Sequence, residues 1–168
     1  SVPQDRIIDD IRSRAVRVVK MQRSHGTGFV KTHVILDDIW GSAPIDALDE
    51  VKRFFAGEVD IRLIVPWMGE ASEQALEPLA RAGKIDALGG YPTLMPDYRE
   101  SLDRIFAFAL RHSLPIDLHV DEADEPNIDT FEYLLDKILE TGMQGRVCAG
   151  HVTALCAVED GRARRAID

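Results

Sequence analysis

Apolar residues along this chain alternate between two patterns, one spaced as on a helix and one running continuously over a short stretch. Over 5–23, Ile7, Ile8, Ile11, Ala15, Val18, Val19 and Met21 recur at mostly helical spacing, with Arg and Asp on the other face. His25-Gly-Thr-Gly28 ends that helix as glycine does beyond a last turn. Residues 29–36 are β-branched and apolar enough for a buried strand. The cycle then repeats. Pro44 opens a helix carrying Ile45, Leu48, Val51, Phe54 and Phe55 and closed by Gly57, and a strand over 59–65 stops at Pro66. Ser72 caps a third helix through Ala82, and 85–88 is a short strand.

Asp97 opens a fourth helix with Leu102, Ile105, Phe106, Ala109 and Leu110 on one face, and Pro115 precedes a strand over 116–120. Residues 127–141 form a fifth helix striped by Phe131, Leu134, Leu135, Ile138 and Leu139. Gly142 and Gly145 break the chain before a fifth strand over 146–149. Strand centres lie about 24 to 32 residues apart, the length of one strand–helix–strand step. Such alternation means a parallel sheet covered by helices. Open nucleotide-binding sheets carry a glycine-rich signature after their first strand, and His25-Gly-Thr-Gly28 precedes a strand instead. The expected architecture is therefore α/β, part of a (β/α)₈ barrel with about five of its eight parallel strands.

Length agrees with one domain. The chain has 168 residues, 45% of them hydrophobic and 29% charged, as in an ordinary globular protein. It opens on Ser1, and 161–168 read as a helix without a closing cap, so 1–168 is expected to be one incomplete barrel domain of a longer chain. A net charge of −9 argues against a nucleic-acid partner, and no apolar run is long enough for a membrane span. Cys148 and Cys156 are too few for a disulfide framework and match no metal-binding cysteine pattern, which makes the cytoplasm the default setting.

Chemistry gathers at the strand ends. In the strand over 116–120, Ile116, Leu118 and Val120 share one parity, which leaves Asp117, His119 and Asp121 facing inward. Buried ionisable groups are costly unless paired or bound to a metal. Lys31 and His33 share a parity in the first strand, where His33 either lines a site or satisfies a partner in the core. His151 is delivered at the end of the last strand. His25 and His112 sit at helix ends, where capping or solvated roles apply. His119-Val-Asp-Glu122 joins an imidazole to carboxylates at a strand end, so Glu122 can take a proton from a water held on a metal and pass it on, with His151 bonded to that water.

Leu-Pro-Ile-Asp-Leu-His-Val-Asp-Glu over 114–122, followed by the glycine-flanked stretch over 142–155 with His151, resembles cytosine-deaminase-type metal-dependent amidohydrolases. Gly-Phe-Val-Lys-Thr-His-Val over 28–34 and Gly-Gly-Tyr-Pro over 89–92, after a strand, are weaker matches in the same order. The resemblance implies a distorted barrel in which these strands are the second through the sixth. It implies one divalent metal, zinc or iron, with His119 as a ligand, Glu122 as proton shuttle and His151 orienting the attacking water. The reaction it implies is deamination, or a related C–N cleavage, of a small N-heterocycle; a homo-oligomer is left open. Its HxH pair and last-strand Asp ligands are absent from this chain, so the segment alone is expected to be inactive. Where the family has Pro-Gln, this chain has Pro66-Trp67, which offers substrate stacking and one N–H or else simply core packing. The competing readings are a non-catalytic barrel that binds or supports, and a free-standing five-stranded module.

Overall fold

In a computed structural model, residues 4–36 and 39–168 are described. Six helices and five strands alternate among them: α1 (Gln4–Ser24), β1 (Phe29–His33), α2 (Ala43–Phe54), β2 (Asp60–Trp67), α3 (Glu70–Arg81), β3 (Ala87–Gly90), α4 (Tyr98–Arg111), β4 (Ile116–Val120), α5 (Asp129–Thr141), β5 (Val147–His151) and α6 (Asp160–Ile167). Short 3₁₀ turns follow β3 (Pro92–Leu94) and β5 (Thr153–Cys156). The strands follow the sheet order β1-β2-β3-β4-β5, and the β1–β2, β3–β4 and β4–β5 ladders are parallel. The chain divides into two compact units along a line that cuts β2 and β3 themselves: 1–66 with 70–87, and 67–69 with 88–168.

In the first unit, Ile45, Ala47, Val51 and Phe55 of α2 and its C-terminal end are buried with Ile61, Leu63, Ile64 and Val65 of β2. The sequence pattern overstates the apolar face at two places. Phe54 is 67% exposed, because consecutive Phe54 and Phe55 point to different sides of the helix and only Phe55 (2%) faces inward. β1 is not a buried strand: Phe29 is 52% exposed, and among the described residues the strand forms the sheet edge with a partner on one side only.

Pro66 does not stop β2, which runs on to Trp67. Alternate residues of a parallel strand turn their N–H groups to opposite sides. Ile64 faces β1, its C=O accepting from Val34 N–H at 2.8 Å. Pro66 turns the same way, two residues past Ile64, where the register with β1 has already ended and the ladder calls for no N–H. The third helix likewise starts at Glu70, so Ser72 lies inside α3 rather than capping it; Glu70 and Glu73 supply the acidic first turn that favours a helix N-terminus.

The second unit is built on α4, β4 and α5. Asp97 caps α4 as its sequence position predicts, its Oδ1 accepting from Arg99 N–H (2.9 Å) and Glu100 N–H (3.1 Å). Asp97→Ala is expected to lower the unfolding free energy of the full-length protein by about 1 kcal/mol, read as a lower urea midpoint at constant m. Leu102, Ile105, Phe106, Phe108 and Ala109 are buried, whereas Leu110 is 44% exposed and Phe108 takes its place in the core.

β3 occupies 87–90 rather than 85–88, so Gly89 and Gly90 belong to the strand and not to the loop after it. A Cβ on Gly90 would lie 2.8 Å from Ile105 Cδ1 and 3.1 Å from Leu118 Cδ2, so glycine is what lets these neighbours close over the strand. β4 has the predicted bounds, with Ile116, Asp117, Leu118 and Val120 all buried. Only His119 breaks that burial, as in a strand covered on both faces. Arg162 of α6 bridges Asp129 (2.6 Å) and Glu132 (2.7 Å) of α5, which holds the Glu132 carboxyl below the usual range. No described helix is long and apolar enough to cross a membrane.

Candidate active site

Parallel strands present successive strand ends side by side, and β4 and β5 do so with an imidazole each. His119 is the fourth residue of β4, its register partner on β5 is Gly150, and Val120 pairs with His151. Gly150 suits this close approach, since a Cβ there would crowd the Leu118 carbonyl oxygen at 3.1 Å. The two rings therefore meet: His151 Nε2 and His119 Nδ1 are 2.9 Å apart, with ring centroids 4.6 Å apart. One imidazole N–H donates to the bare nitrogen of the other.

The backbone that delivers these groups is strained. His151 and Val152 have φ of +67° and +48°, and Asp121 has φ of +44°. For a β-branched residue such as Val152 this region is costly, and such strain persists where surrounding contacts over-determine it. Here Val152 N–H donates to Val120 C=O (3.0 Å) and Gly150 C=O (3.1 Å), closing a tight turn around His151.

Glu122 follows β4 and reaches over both rings. Its Oε1 lies 3.5 Å from His151 Nδ1 and its Oε2 lies 3.9 Å from His119 Nδ1. The ligand atoms of His119, Glu122 and His151 all fall within 4.8 Å of one another. Imidazole nitrogen and carboxylate oxygen are donor types that a zinc-type cation takes, so the chemistry of this group suits a contribution to such a site, while the 2.9 Å bond between the two rings keeps those two nitrogens from serving as ligands together. The side chains open progressively, with His119 26%, His151 37% and Glu122 58% exposed.

Of the residues singled out in the sequence, the structure thus brings His119, Glu122 and His151 together. His33 ends β1 in the other unit. Trp67 ends β2 with 4% of its surface exposed, the burial of a packed residue. Asp121, expected on the inward face with His119, is instead turned by its positive φ so that Oδ2 accepts from Phe131 N–H at the start of α5 (2.9 Å). Asp117 stays buried within β4, 7% exposed. Sequence reasoning missed Tyr91, whose ring lies 4.9 Å from that of His119, and Thr93, whose hydroxyl meets Asp121. The signal for both was Tyr-Pro-Thr directly after the strand that Gly89 and Gly90 close, at the end where barrels keep their chemistry.

No protein-family model matches the chain. Pterin deaminase of Rhizobium rhizogenes is 28% identical over 167 residues, covering 95% of this chain and 37% of that protein. N-isopropylammelide isopropyl amidohydrolase of a Pseudomonas species is 26% identical over 149 residues, covering 85% and 37% respectively. The crystal structure of 5-methylcytosine deaminase from Klebsiella pneumoniae with phosphonocytosine bound superposes with a TM-score of 0.83 at 26% identity, covering 95% of this chain and 40% of that one. This chain therefore spans well under half the length of each of these three proteins. Its α/β fold is that of part of a (β/α)₈ barrel, with five of the parallel strands and their helices. Sequence and fold agree: over nearly its whole length the chain is similar to a segment of the pterin deaminase, the N-isopropylammelide amidohydrolase and the 5-methylcytosine deaminase.

Proposed function

We propose that the protein containing this chain hydrolyses a C–N bond of a small N-heterocycle, cytosine-deaminase-like in its machinery, using water activated at one divalent metal, zinc or iron. One observation carries the reading: His119, Glu122 and His151 converge within 4.8 Å at the ends of adjacent parallel strands. His119 is the ligand that this segment contributes, and the remaining ligands come from elsewhere in the full protein. When bound, the ion would supply Lewis acidity, which lowers the pKa of water held on it to about 7. Glu122 accepts the proton from the attacking water and returns it to the ring nitrogen or the leaving amine. His151, bonded to His119 and near Glu122, orients that water.

Names of related proteins support the substrate class, since they span a pterin, an ammelide derivative and a methylated cytosine. All three are flat nitrogen heterocycles carrying an amino or alkylamino group. His33 and Trp67 complete the reading as substrate-side residues, on the strength of their position at strand C-terminal ends. Residues 1–168 are then one incomplete barrel domain, inactive by itself, of a cytoplasmic enzyme, with assembly into a homo-oligomer part of the same proposal.

Metal analysis of the full-length protein, joined to a panel of pterins, aminotriazines and aminopyrimidines, tests this directly. Expected is about one equivalent of zinc or iron and release of ammonia or amine from at least one compound, abolished by a chelator and restored by the metal. A protein without bound metal that releases no amine from any of them overturns the proposal.

A further inference from the structure

The geometry points to Asp121 and Thr93 as a positioning pair that aims Glu122 at the two imidazoles. The inference rests on the reading of Glu122 as the proton carrier. Glu122 does not hold itself in place: its side chain is 58% exposed, and its approaches to His151 (3.5 Å) and His119 (3.9 Å) are longer than good hydrogen bonds. Its direction is therefore set by the backbone beneath it.

That backbone is fixed one residue earlier. Asp121 is 3% exposed and left-handed, and three separate segments bond to it. Thr93, in the turn after β3, donates its hydroxyl to Asp121 Oδ1 (3.2 Å) and accepts Asp121 N–H on the same oxygen (3.0 Å). Phe131, in the first turn of α5, donates its N–H to Asp121 Oδ2 (2.9 Å). Ala154, in the turn after β5, donates its N–H to Asp121 C=O (3.1 Å), and Thr153 Oγ1 donates to Asp121 C=O (3.4 Å) and Ala123 C=O (3.1 Å). The residue at the α5 cap position, Ile128, makes no side-chain cap, so the Asp121 carboxylate takes over that task from a distance. The turn carrying His151 and the loop carrying Glu122 are thereby tied to one buried group, and their relative placement follows from it.

Thr93→Val tests the pair without touching any residue of the site, in the full-length enzyme with its metal bound. Loss of aim by about 1 Å is expected to lower kcat by about 10- to 100-fold, with KM and metal content unchanged. Asp121→Asn keeps one acceptor for Phe131 and an amide for Thr93, and is expected to recover part of the activity lost in Asp121→Ala. A Thr93→Val enzyme with a lower melting temperature but kcat within about twofold of wild type overturns the inference, since a merely structural tie has that signature. Should the wild-type enzyme turn over no heterocycle, the reaction reading has failed on its own, and the crystal structure of Thr93→Val decides the pair. Glu122 displaced from His151 then supports it, and Glu122 in its present place overturns it.

Discussion

Glu122→Gln in the full-length protein is expected to lower kcat by about 10²- to 10⁴-fold, the usual worth of a positioned general base. The amide keeps the size and shape of the carboxylate and can still donate or accept one bond, but it cannot carry a proton at neutral pH. KM is expected to hold, because the loss falls on a step after binding. Metal content is also expected to hold, since Glu122 is the most exposed of the three groups and sits at 3.5 and 3.9 Å from its imidazole neighbours. Steady-state kinetics together with elemental analysis separate the possibilities. Turnover at the wild-type rate contradicts the proton-carrying role, and loss of the metal assigns Glu122 to the ligand shell instead.

Leu118→Ala is expected to destabilise the full-length protein by about 2–5 kcal/mol, the cost of a cavity at a site that cannot collapse. Leu118 is 0% exposed. Its backbone pairs with Gly90 on one side and Ala149 on the other. Its Cδ2 occupies the space over Gly90 that a side chain there would fill. Neither flanking strand supplies bulk to close the gap. Because Leu118 precedes His119, a relaxed strand would also shift the imidazole, so activity is expected to fall with stability. A thermal midpoint unchanged from wild type contradicts this account of the packing.

Most of the element order was legible in the sequence because the signals behind it are local. The period of apolar residues, the Asp97 cap and Pro115 before β4 act over a turn or two of chain, and β4 runs over the predicted 116–120. Boundaries failed where the deciding contact was distant. β3 slid by two residues because Gly89 and Gly90 earn their place through Ile105 and Leu118, not through strand propensity. β2 passed through Pro66 because its register with β1 ends at Ile64, before an N–H from residue 66 is called for.

The candidate site divides in the same way. His119-Val-Asp-Glu122 and His151 stand out as residue types at strand ends, since an imidazole and carboxylates in an otherwise apolar run need a chemical reason. What the sequence by itself determined was the alternation of strands and helices, and with it the parallel sheet that lines up strand ends. Only the tertiary structure decided that His151 Nε2 comes to 2.9 Å of His119 Nδ1 across 32 residues, and that Thr93 meets Asp121 across 28. It also turned Asp121 away from the site and toward α5. Local pattern constrains the chain over a few residues, whereas these contacts are set by register between strands and by left-handed backbone that no nearby residue type announces.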